Sequence, residues 1–303
     1  MIAYAGIDLG GTKAEAQLFD TEWQLVERRR VSTPETYEAL VEALVELVRW
    51  VKDKAEIAIP IGIGAAGLVD ENGNAFTANL PAKGRPLPAD IERAVGQKIT
   101  YVNDCRALAL SEAVFGIGQE HRTVVSLILG TGVGGGVAYD TYLRPGPAGV
   151  GGEFGHIGAS AAVIQAHGVP IYPCGCGRRG CIESYISGPG LVRMARDLCG
   201  LETTSQAIGQ RKADNPQFAK VWNVWLELTA DLLLTLVQTI DPDVIVLGGG
   251  LSQIPHVADE LSDRLAKIQI EGFRVPPVGL ATGGDASGAR GAALAAAQEA
   301  EGA

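Results

Sequence analysis

The sequence predicts an α/β protein of two lobes, and two observations support this prediction. The chain has 303 residues, which is long for a single hydrophobic core and sufficient for two lobes, each built around a buried sheet. Its two halves also begin alike, because the strands predicted near residues 2 and 123 both lead through a glycine-rich turn into a further strand. This is a weak internal duplication, visible in the pattern rather than in residue identity.

The first half is predicted to open with a β-meander, followed by alternating helices and strands. The helix after the meander is indicated by Leu40, Leu44 and Val51, which lie near helical spacing, and by Pro34 at its expected start. Pro60 is unfavourable in a central strand, yet it falls inside one of the predicted strands. The predicted elements are strands over 2–9, 14–19 and 24–31, a helix over 35–54, a strand over 57–64, a helix over 89–96, a strand over 98–103 and a helix over 104–116.

The second half repeats the opening and then becomes less regular. Residues 145–181 are rich in Gly, Pro and Cys and lack periodicity, which predicts a loop-rich insert. The other predicted elements are a strand over 123–129, a glycine turn over 130–136, a strand over 137–140, a helix over 216–240, a strand over 243–247 and an alanine-rich helix over 288–300. We therefore predict a small lobe over 1–117, with the helix 288–303 packed back on it, and a large lobe over 118–287.

The composition argues against nucleic-acid and membrane partners. The formal net charge of −10 opposes binding to nucleic acid or to an anionic membrane surface. The basic run 28–30 is better explained as the solvated end of a strand than as a nucleic-acid patch. No apolar run is long enough to span a bilayer, and the N-terminus lacks the pattern of a signal peptide, so we expect a cytoplasmic protein.

Three glycine-rich turns could approach phosphate groups. The first, Asp8-Leu9-Gly10-Gly11-Thr12-Lys13, lets backbone amides approach a phosphate closely and adds a hydroxyl and a cation. Asp8 could hold Mg²⁺ through water. The second turn spans 129–136 and the third 247–251. Each alone is more often plain turn chemistry, and none is a P-loop or a dinucleotide fingerprint, but the three in this order indicate a nucleotide site.

Asp104 is the candidate catalytic base. Phosphoryl transfer to a sugar hydroxyl needs held phosphates, a cation and a group near the hydroxyl that accepts its proton. The pair Asn103-Asp104 ends a predicted strand, which is where open α/β sheets place their ligands. The competing interpretation is that Asp104 is the N-cap of the following helix.

A cluster of thiols and one imidazole is predicted to hold a structural zinc ion. Its candidate ligands are His156, Cys174, Cys176 and Cys181, a donor set suited to tetrahedral zinc with no open position. Redox-active cysteines are the alternative. Cys105 and Cys199 lie outside the pattern. Glu153 and Glu183 flank the cluster, and both are expected to hydrogen-bond a sugar, with simple surface solvation as the alternative.

The motifs DLGGTK, Asn103-Asp104, LGTGVGGG, GEFGH and CGCGRRGCIE occur in the order found in the ROK family of bacterial sugar kinases and sugar-responsive repressors, which the chain resembles over essentially its full length. The resemblance implies an actin-like ATPase (ribonuclease H-like) fold with ATP in the cleft, closure on the sugar, and a homodimer or homotetramer. It implies that Asp104 is the base and that His156 and the three cysteines bind zinc. The implied sugar ligands are Gly67, Asn79, Asn103, Asp104, Glu153, His156 and Glu183. The implied ATP ligands are Asp8, Gly10, Gly11, Thr12, Lys13, Gly130, Thr131, Gly132, Val133, Gly134, Gly248, Gly249 and Gly250.

Within the family, the segment TANLPAKGRPLPADI and the long interval between His156 and Cys174 are similar to members that phosphorylate N-acetyl-D-glucosamine at its 6-hydroxyl. Glucose, fructose, mannose and N-acetylmannosamine are the alternative acceptors. Two positions depart from the family pattern: Ala66 precedes the glycine of the first sugar loop, and Cys105-Arg106 follows the base. A repressor is disfavoured because the first strand begins almost at Met1, and a non-catalytic sugar sensor is disfavoured because the expected phosphate and base residues are all present.

Overall fold

The computed structural model describes residues 1–144, 146–284 and 287–302. The strands are β1 Ile2–Leu9, β2 Lys13–Asp20, β3 Leu25–Ser32, β4 Ile61–Ala65, β5 Leu68–Val69, β6 Ala75–Phe76, β7 Thr100–Asn103, β8 Thr123–Leu129, β9 Val133–Tyr139, β10 Tyr142–Leu143, β11 Val244–Gly248 and β12 Val278–Leu280. The α-helices are α1 Tyr37–Lys54, α2 Leu87–Val95, α3 Asp104–Phe115, α4 Ala161–His167, α5 Glu183–Ile186, α6 Gly188–Cys199, α7 Ser205–Gln210, α8 Pro216–Ile240, α9 Val257–Ile268 and α10 Ser287–Gly302. None of the helices in these described ranges is long and apolar enough to cross a membrane.

The chain folds into two units, and each is assembled from more than one segment of the sequence. The first comprises Met1–Gln119, Gly136–Gly151 and Thr282–Ala303, and the second comprises Glu120–Gly135 and Gly152–Ala281. One five-stranded sheet has the order β3-β2-β1-β4-β7, and the other has the order β10-β9-β8-β11-β12. The strands β5 and β6 form a separate antiparallel pair.

The first unit places the ends of three parallel strands side by side. β1 and β2 are antiparallel, whereas β1, β4 and β7 run parallel, with Leu9 opposite Ala65 and Ala65 opposite Asn103. Thr36 caps α1 by accepting a hydrogen bond from the backbone N–H of Ala39. The buried face of α1 belongs to the core cluster that includes the strands, so the predicted apolar periodicity is confirmed.

Helix α10 lies so close to the first sheet that glycine is required beneath it. A Cβ atom added at Gly62 would lie 1.9 Å from the carbonyl oxygen of Ala292, and one at Gly6 would lie 1.8 Å from that of Ala289. The alanine-rich sequence of α10 and the glycines of the strands therefore serve one purpose, which is to let two backbones approach each other.

We expect Gly62→Ala to lower the free energy of unfolding by about 3 kcal/mol or more, because the new methyl group meets backbone that has to shift. Urea denaturation of the variant measures this loss. Gly302→Ala is the control, since a Cβ added there meets nothing within 4 Å. Equal stability of the Gly62 variant and the wild type would show that α10 is not packed this closely.

The second unit contains the parallel strands β8, β11 and β12 and the long helix α8. The predicted helix over 216–240 is confirmed as α8, with Asn215 as its N-cap, and Trp225 at its centre is fully buried. The indole N–H of Trp225 donates to the carbonyl of Ile186, which satisfies the polar atom of this large side chain.

Three details differ from the sequence prediction. The strand predicted over 57–64 begins only at Ile61, directly after Pro60, which has no N–H to donate to a neighbouring strand. The predicted glycine turn is shorter than residues 130–136, because β9 already begins at Val133. The predicted loop-rich insert contains the helix α4.

Candidate functional site

The first glycine turn joins β1 to β2. The backbone N–H of Gly10 donates to the carbonyl of Lys13 at 2.9 Å, and the hydroxyl of Thr33 donates to the carbonyl of Gly10 at 2.7 Å. A Cβ added at Gly11 would lie 3.1 Å from the carbonyl oxygen of Asn79, so the predicted sugar ligand Asn79 borders the turn. Thr12 lies within the turn and Lys13 is the first residue of β2.

Asp8 lies at the end of β1, against the start of α10. A Cβ added at Gly288 would lie 2.8 Å from a carboxylate oxygen of Asp8. Glycine at this position therefore leaves room for the carboxylate, and the first turn of a helix is a favourable environment for a negative charge.

The residue that caps α3 is Asn103, which corrects the alternative interpretation of Asp104 as the cap. The side-chain oxygen of Asn103 accepts hydrogen bonds from the N–H groups of Cys105 and Arg106, and Asp104 is the first residue of the helix. The amide nitrogen of Asn103 donates to the carbonyl of Gly67 at 3.0 Å. Asn103 thus fixes both the start of the helix and the loop at Gly67.

Asp104 is a partly buried carboxylate with a perturbed pKa. Burial raises its pKa above the ordinary value, and hydrogen bonds from Cys105 and Asn103 oppose that rise. One carboxylate oxygen accepts the backbone N–H of Cys105 at 2.9 Å. A carboxylate that is desolvated in this way has a greater proton affinity than one in water, which suits a general base.

Gly67 adopts a conformation that other residues rarely tolerate. Its φ is +108°, and a Cβ added there would lie 2.3 Å from the carbonyl oxygen of Phe76. The preceding Ala66 donates its N–H to the carbonyl of Leu9 at 3.3 Å. Because β1, β4 and β7 are parallel neighbours, the predicted residues Asp8, Gly67 and Asp104 follow or end strands at one edge of the same sheet.

The second glycine turn, in the second unit, connects to α5 and α6. Gly130 donates its N–H to the carbonyl of Gly132 at 3.0 Å, and the carbonyl of Gly130 accepts the N–H of Gly188 at 2.8 Å. The carboxylate of Glu183 accepts the N–H of Val133 at 2.9 Å. Glu183, a predicted sugar ligand, therefore also fixes the turn that is predicted to hold phosphates.

The third turn packs against the second because β8 and β11 are parallel neighbours. Gly248 ends β11 and lies opposite Ile128 of β8. Gly249 has a φ of +84°, and a Cβ added there would lie 2.6 Å from the carbonyl oxygen of Leu129. The structure thus brings together these two turns, which are more than a hundred residues apart in the sequence.

A cavity of about 550 Å³ opens between these turns within the second unit. Residues of both turns, including Thr131 and Gly250, line it together with residues that the sequence prediction missed. The missed lining residues are Gly188, Pro189, Val192, Thr203, Thr204, Ser205 and Gln206. Polar side chains on a mixed apolar wall are typical of a site for a small ligand.

The predicted metal ligands do converge. One ligand atom from each of His156, Cys174, Cys176 and Cys181 lies within 4.8 Å of every other. The Nδ1 atom of His156 is 3.6 Å from the sulfur of Cys174, and the sulfurs of Cys176 and Cys181 are 3.7 Å apart. This arrangement of three sulfurs and one nitrogen fits a tetrahedral zinc ion.

The thiols of the cluster differ in acidity. Hydrogen bonds from the backbone and side chain of Arg178 lower the pKa of Cys176 to about 6, whereas burial raises the pKa of Cys181 to about 12. Arg178 also donates to the carbonyl of His156 and so joins both segments of the cluster. A cation bound to all four donors would replace the proton of Cys181.

The predicted sugar ligands of the second unit adjoin this cluster. The Nε2 atom of His156, on the side of the ring away from the cysteines, lies 3.9 Å from a carboxylate oxygen of Glu153. The N–H of Ile182 donates to the carbonyl of Ile157 at 2.8 Å, which holds the segment before Glu183 beside the segment after His156. If His156 binds a metal through Nδ1, its Nε2 carries the proton and faces the carboxylate of Glu153.

Comparison with known proteins gives a consistent result. Residues 4–299 match the model of the ROK family. N-acetylgalactosamine kinase AgaK of Shewanella sp. (strain ANA-3) is 38% identical over 294 residues, which cover 96% of each chain. N-acetyl-D-glucosamine kinase of Escherichia coli (strain K12) is 36% identical over 298 residues, covering 96% of this chain and 98% of the other.

A solved structure agrees with these relatives. The crystal structure of a ROK family glucokinase from Streptomyces griseus in complex with glucose and AMPPNP has a TM-score of 0.78 and 31% identity, and the match covers 98% of this chain and 100% of the other. This similarity confirms the predicted α/β fold of the actin-like ATPases.

Proposed function

The chain belongs to the ROK family and is a sugar kinase, and we propose that it transfers the terminal phosphoryl group of ATP to the 6-hydroxyl of N-acetyl-D-glucosamine. The observation that carries this proposal is the pair of relatives at 38% and 36% identity, each aligned over 96% of this chain. Their named sugars share the acetamido group at C2 and differ in configuration at C4. N-acetylgalactosamine is therefore the second candidate.

Asp104 is proposed to accept the proton of the attacking hydroxyl. Its carboxylate is held by the N–H of Cys105 at 2.9 Å, and burial keeps its proton affinity above that of an ordinary aspartate. A base of this kind makes the hydroxyl more nucleophilic as the bond to phosphorus forms. Most of the remaining rate enhancement in phosphoryl transfer comes from positioning and from charge stabilisation.

The nucleotide is proposed to occupy the cavity of about 550 Å³ in the second unit, with its phosphates on the glycine turns. Backbone N–H groups of such turns bind phosphate oxygens without interference from side chains. The first turn contributes Lys13, which suits a phosphate, and Asp8, which suits a hydrated Mg²⁺ ion. The presence of AMPPNP, an analogue of ATP, in the related glucokinase supports ATP as the donor.

The proposed sugar ligands are mostly polar side chains. The candidates in the first unit are Gly67, Asn79, Asn103 and Asp104, and those in the second unit are Glu153, His156 and Glu183. Carboxylates and amides in this number suit a ligand with several hydroxyl groups, because each can hold a hydroxyl in a defined direction. Zinc, if bound by the cluster, would orient the segments that carry Glu153 and Glu183 and take no part in phosphoryl transfer.

Steady-state kinetics with a set of sugars tests the proposal. We expect kcat/KM for N-acetylglucosamine to exceed that for glucose by roughly a hundredfold, because binding groups built for an acetamido substituent are left unpaired by glucose. Release of ADP, measured with a coupled assay, gives the rates. Glucosamine is the matched control, since it lacks the acetyl group alone.

Each result has a defined meaning. Higher kcat/KM for glucose than for either N-acetylated sugar would contradict the proposed acceptor class. Preference for N-acetylgalactosamine over N-acetylglucosamine would replace the first candidate by the second. Equal rates with glucosamine and N-acetylglucosamine would show that the acetyl group is not recognised.

A further inference from the structure

Arg106 is a buried cation close to the proposed base in the sequence. It is the third residue of α3 and is 7% exposed. Its Nε donates to the carbonyl of Gly151 at 2.9 Å, and a terminal nitrogen donates to the carbonyl of Gly149 at 2.5 Å. The guanidinium is therefore directed at backbone carbonyls and not at solvent.

The segment that Arg106 contacts has unusual backbone freedom. Residues 146–152 contain glycine at 146, 149, 151 and 152, and three of these glycines have positive φ: +74° at Gly146, +62° at Gly149 and +103° at Gly152. A glycine-rich segment samples many conformations unless other groups hold it. Two hydrogen bonds from one planar guanidinium fix two of its carbonyls at once.

The helix that carries Arg106 is itself packed tightly. A Cβ added at Gly136, in β9, would lie 2.8 Å from the Cα atom of Arg106 and 2.9 Å from the Cβ atom of Ala109. The strand that leads towards the glycine segment is therefore packed closely against α3. Arg106 lies in the tightly packed first turn of α3. The two hydrogen bonds of its guanidinium therefore restrain residues 149 and 151 against this helix.

The segment continues directly into Glu153. In the second unit, the carbonyl of Gly152 accepts the N–H groups of Gly135 at 2.8 Å and Phe154 at 2.7 Å. The chain is thus restrained on the far side of Gly152 by backbone hydrogen bonds and on the near side by Arg106.

We propose that Arg106 is a positioning residue for sugar binding, which holds the segment 146–151 in the conformation that presents Glu153 to the sugar. The inference rests on the proposed function, because Glu153 is a proposed sugar ligand. The charge of Arg106 is used for binding two carbonyls and not for chemistry on the phosphate.

The test compares Arg106→Ala and Arg106→Lys with the wild type. We expect Arg106→Ala to raise the KM for the sugar about tenfold or more, since two charge-assisted hydrogen bonds are lost, while the KM for ATP stays within about twofold. Arg106→Lys keeps the charge but not the planar fork, and we expect a smaller rise. Arg29→Ala, on the exposed edge strand β3, is the control and is expected to leave both KM values unchanged.

Hydrogen exchange of the amides in 146–152 provides the second readout, and it should become faster in Arg106→Ala. Faster exchange with an unchanged KM for the sugar would overturn the proposal, as would a parallel rise of both KM values together with lowered thermal stability. If Arg106→Ala does not fold, the two KM values and the amide exchange of Arg106→Lys test the proposal by the same criteria. A wild-type enzyme that phosphorylates no N-acetylated hexosamine contradicts the proposed function, whereas an active wild type with unaffected Arg106 variants contradicts this inference alone.

Discussion

Asp104→Asn is expected to lower kcat for sugar phosphorylation by roughly a thousandfold, the range contributed by a positioned general base. An amide cannot accept the proton of the attacking hydroxyl. It can still accept the N–H of Cys105, which bonds to Asp104 at 2.9 Å in the wild type, so the local geometry is retained. The ADP-release assay measures kcat, and titration calorimetry measures whether sugar still binds.

From the linkage between pKa and stability, we expect that Asp104→Asn does not destabilise the fold at neutral pH. Burial raises the native pKa of Asp104 above its unfolded value. The contribution of protonated Asp104 to the free energy of unfolding is therefore fully present below the unfolded pKa. It is lost as the pH rises through the native pKa, because the buried side chain then becomes charged. Asparagine does not ionise, so we expect the variant to be at least as stable as the wild type at neutral pH.

A second aspartate provides the control. Asp259 lies in the first turn of α9, and its side chain is 86% exposed. We expect Asp259→Asn to retain full kcat. A kcat for Asp104→Asn close to that of the Asp259 variant would refute the assignment of Asp104 as the base.

Much of the fold follows from local patterns in the sequence. The meander was predictable from the turns that separate its strands, and α1 from its unbroken apolar periodicity. Helix α8 was predictable because it is long and begins at an Asn-Pro pair. The start of β4 was not predictable from the sequence, since residues 57–60 are apolar in composition but Ile57 is exposed. The strand β4 starts at Ile61 because its pairing with β1 begins at that residue.

The parts of the site that could be predicted are those whose functional residues form a short motif of neighbouring residues. The glycine turns and the cysteine cluster are of this kind, and the structure brings the cluster together. The cavity residues Thr203–Gln206 carry no such signal, because an ordinary polar loop becomes a cavity wall only through the packing of α6 and α7. The sequence alone also does not identify the N-cap of α3, because Asn103 and Asp104 both suit that position. In the structure Asn103 is the cap, and its side chain also donates a hydrogen bond to the carbonyl of Gly67, which is distant in the sequence.

Cys181→Ser is expected to abolish zinc binding and to raise the KM for the sugar by about a hundredfold, the cost of displacing a binding group by about an ångström. Cys181 is one of four converging ligand atoms, and Glu183, two residues later, binds the N–H of Val133. Loss of the metal would therefore loosen Glu183, which is a proposed sugar ligand. Elemental analysis of protein purified without added metal, together with kinetics, measures both effects.

The matched control is Cys199→Ser, because Cys199 lies at the end of α6, outside the cluster, and we expect it to retain zinc and activity. The redox alternative makes a different prediction, since the sulfurs of Cys176 and Cys181 are only 3.7 Å apart. A fully active wild type without zinc, with a disulfide between these cysteines by mass spectrometry, would refute the metal site. Because the metal is proposed to shape the sugar site and not to act on the phosphate, kcat at saturating sugar should fall much less than kcat/KM.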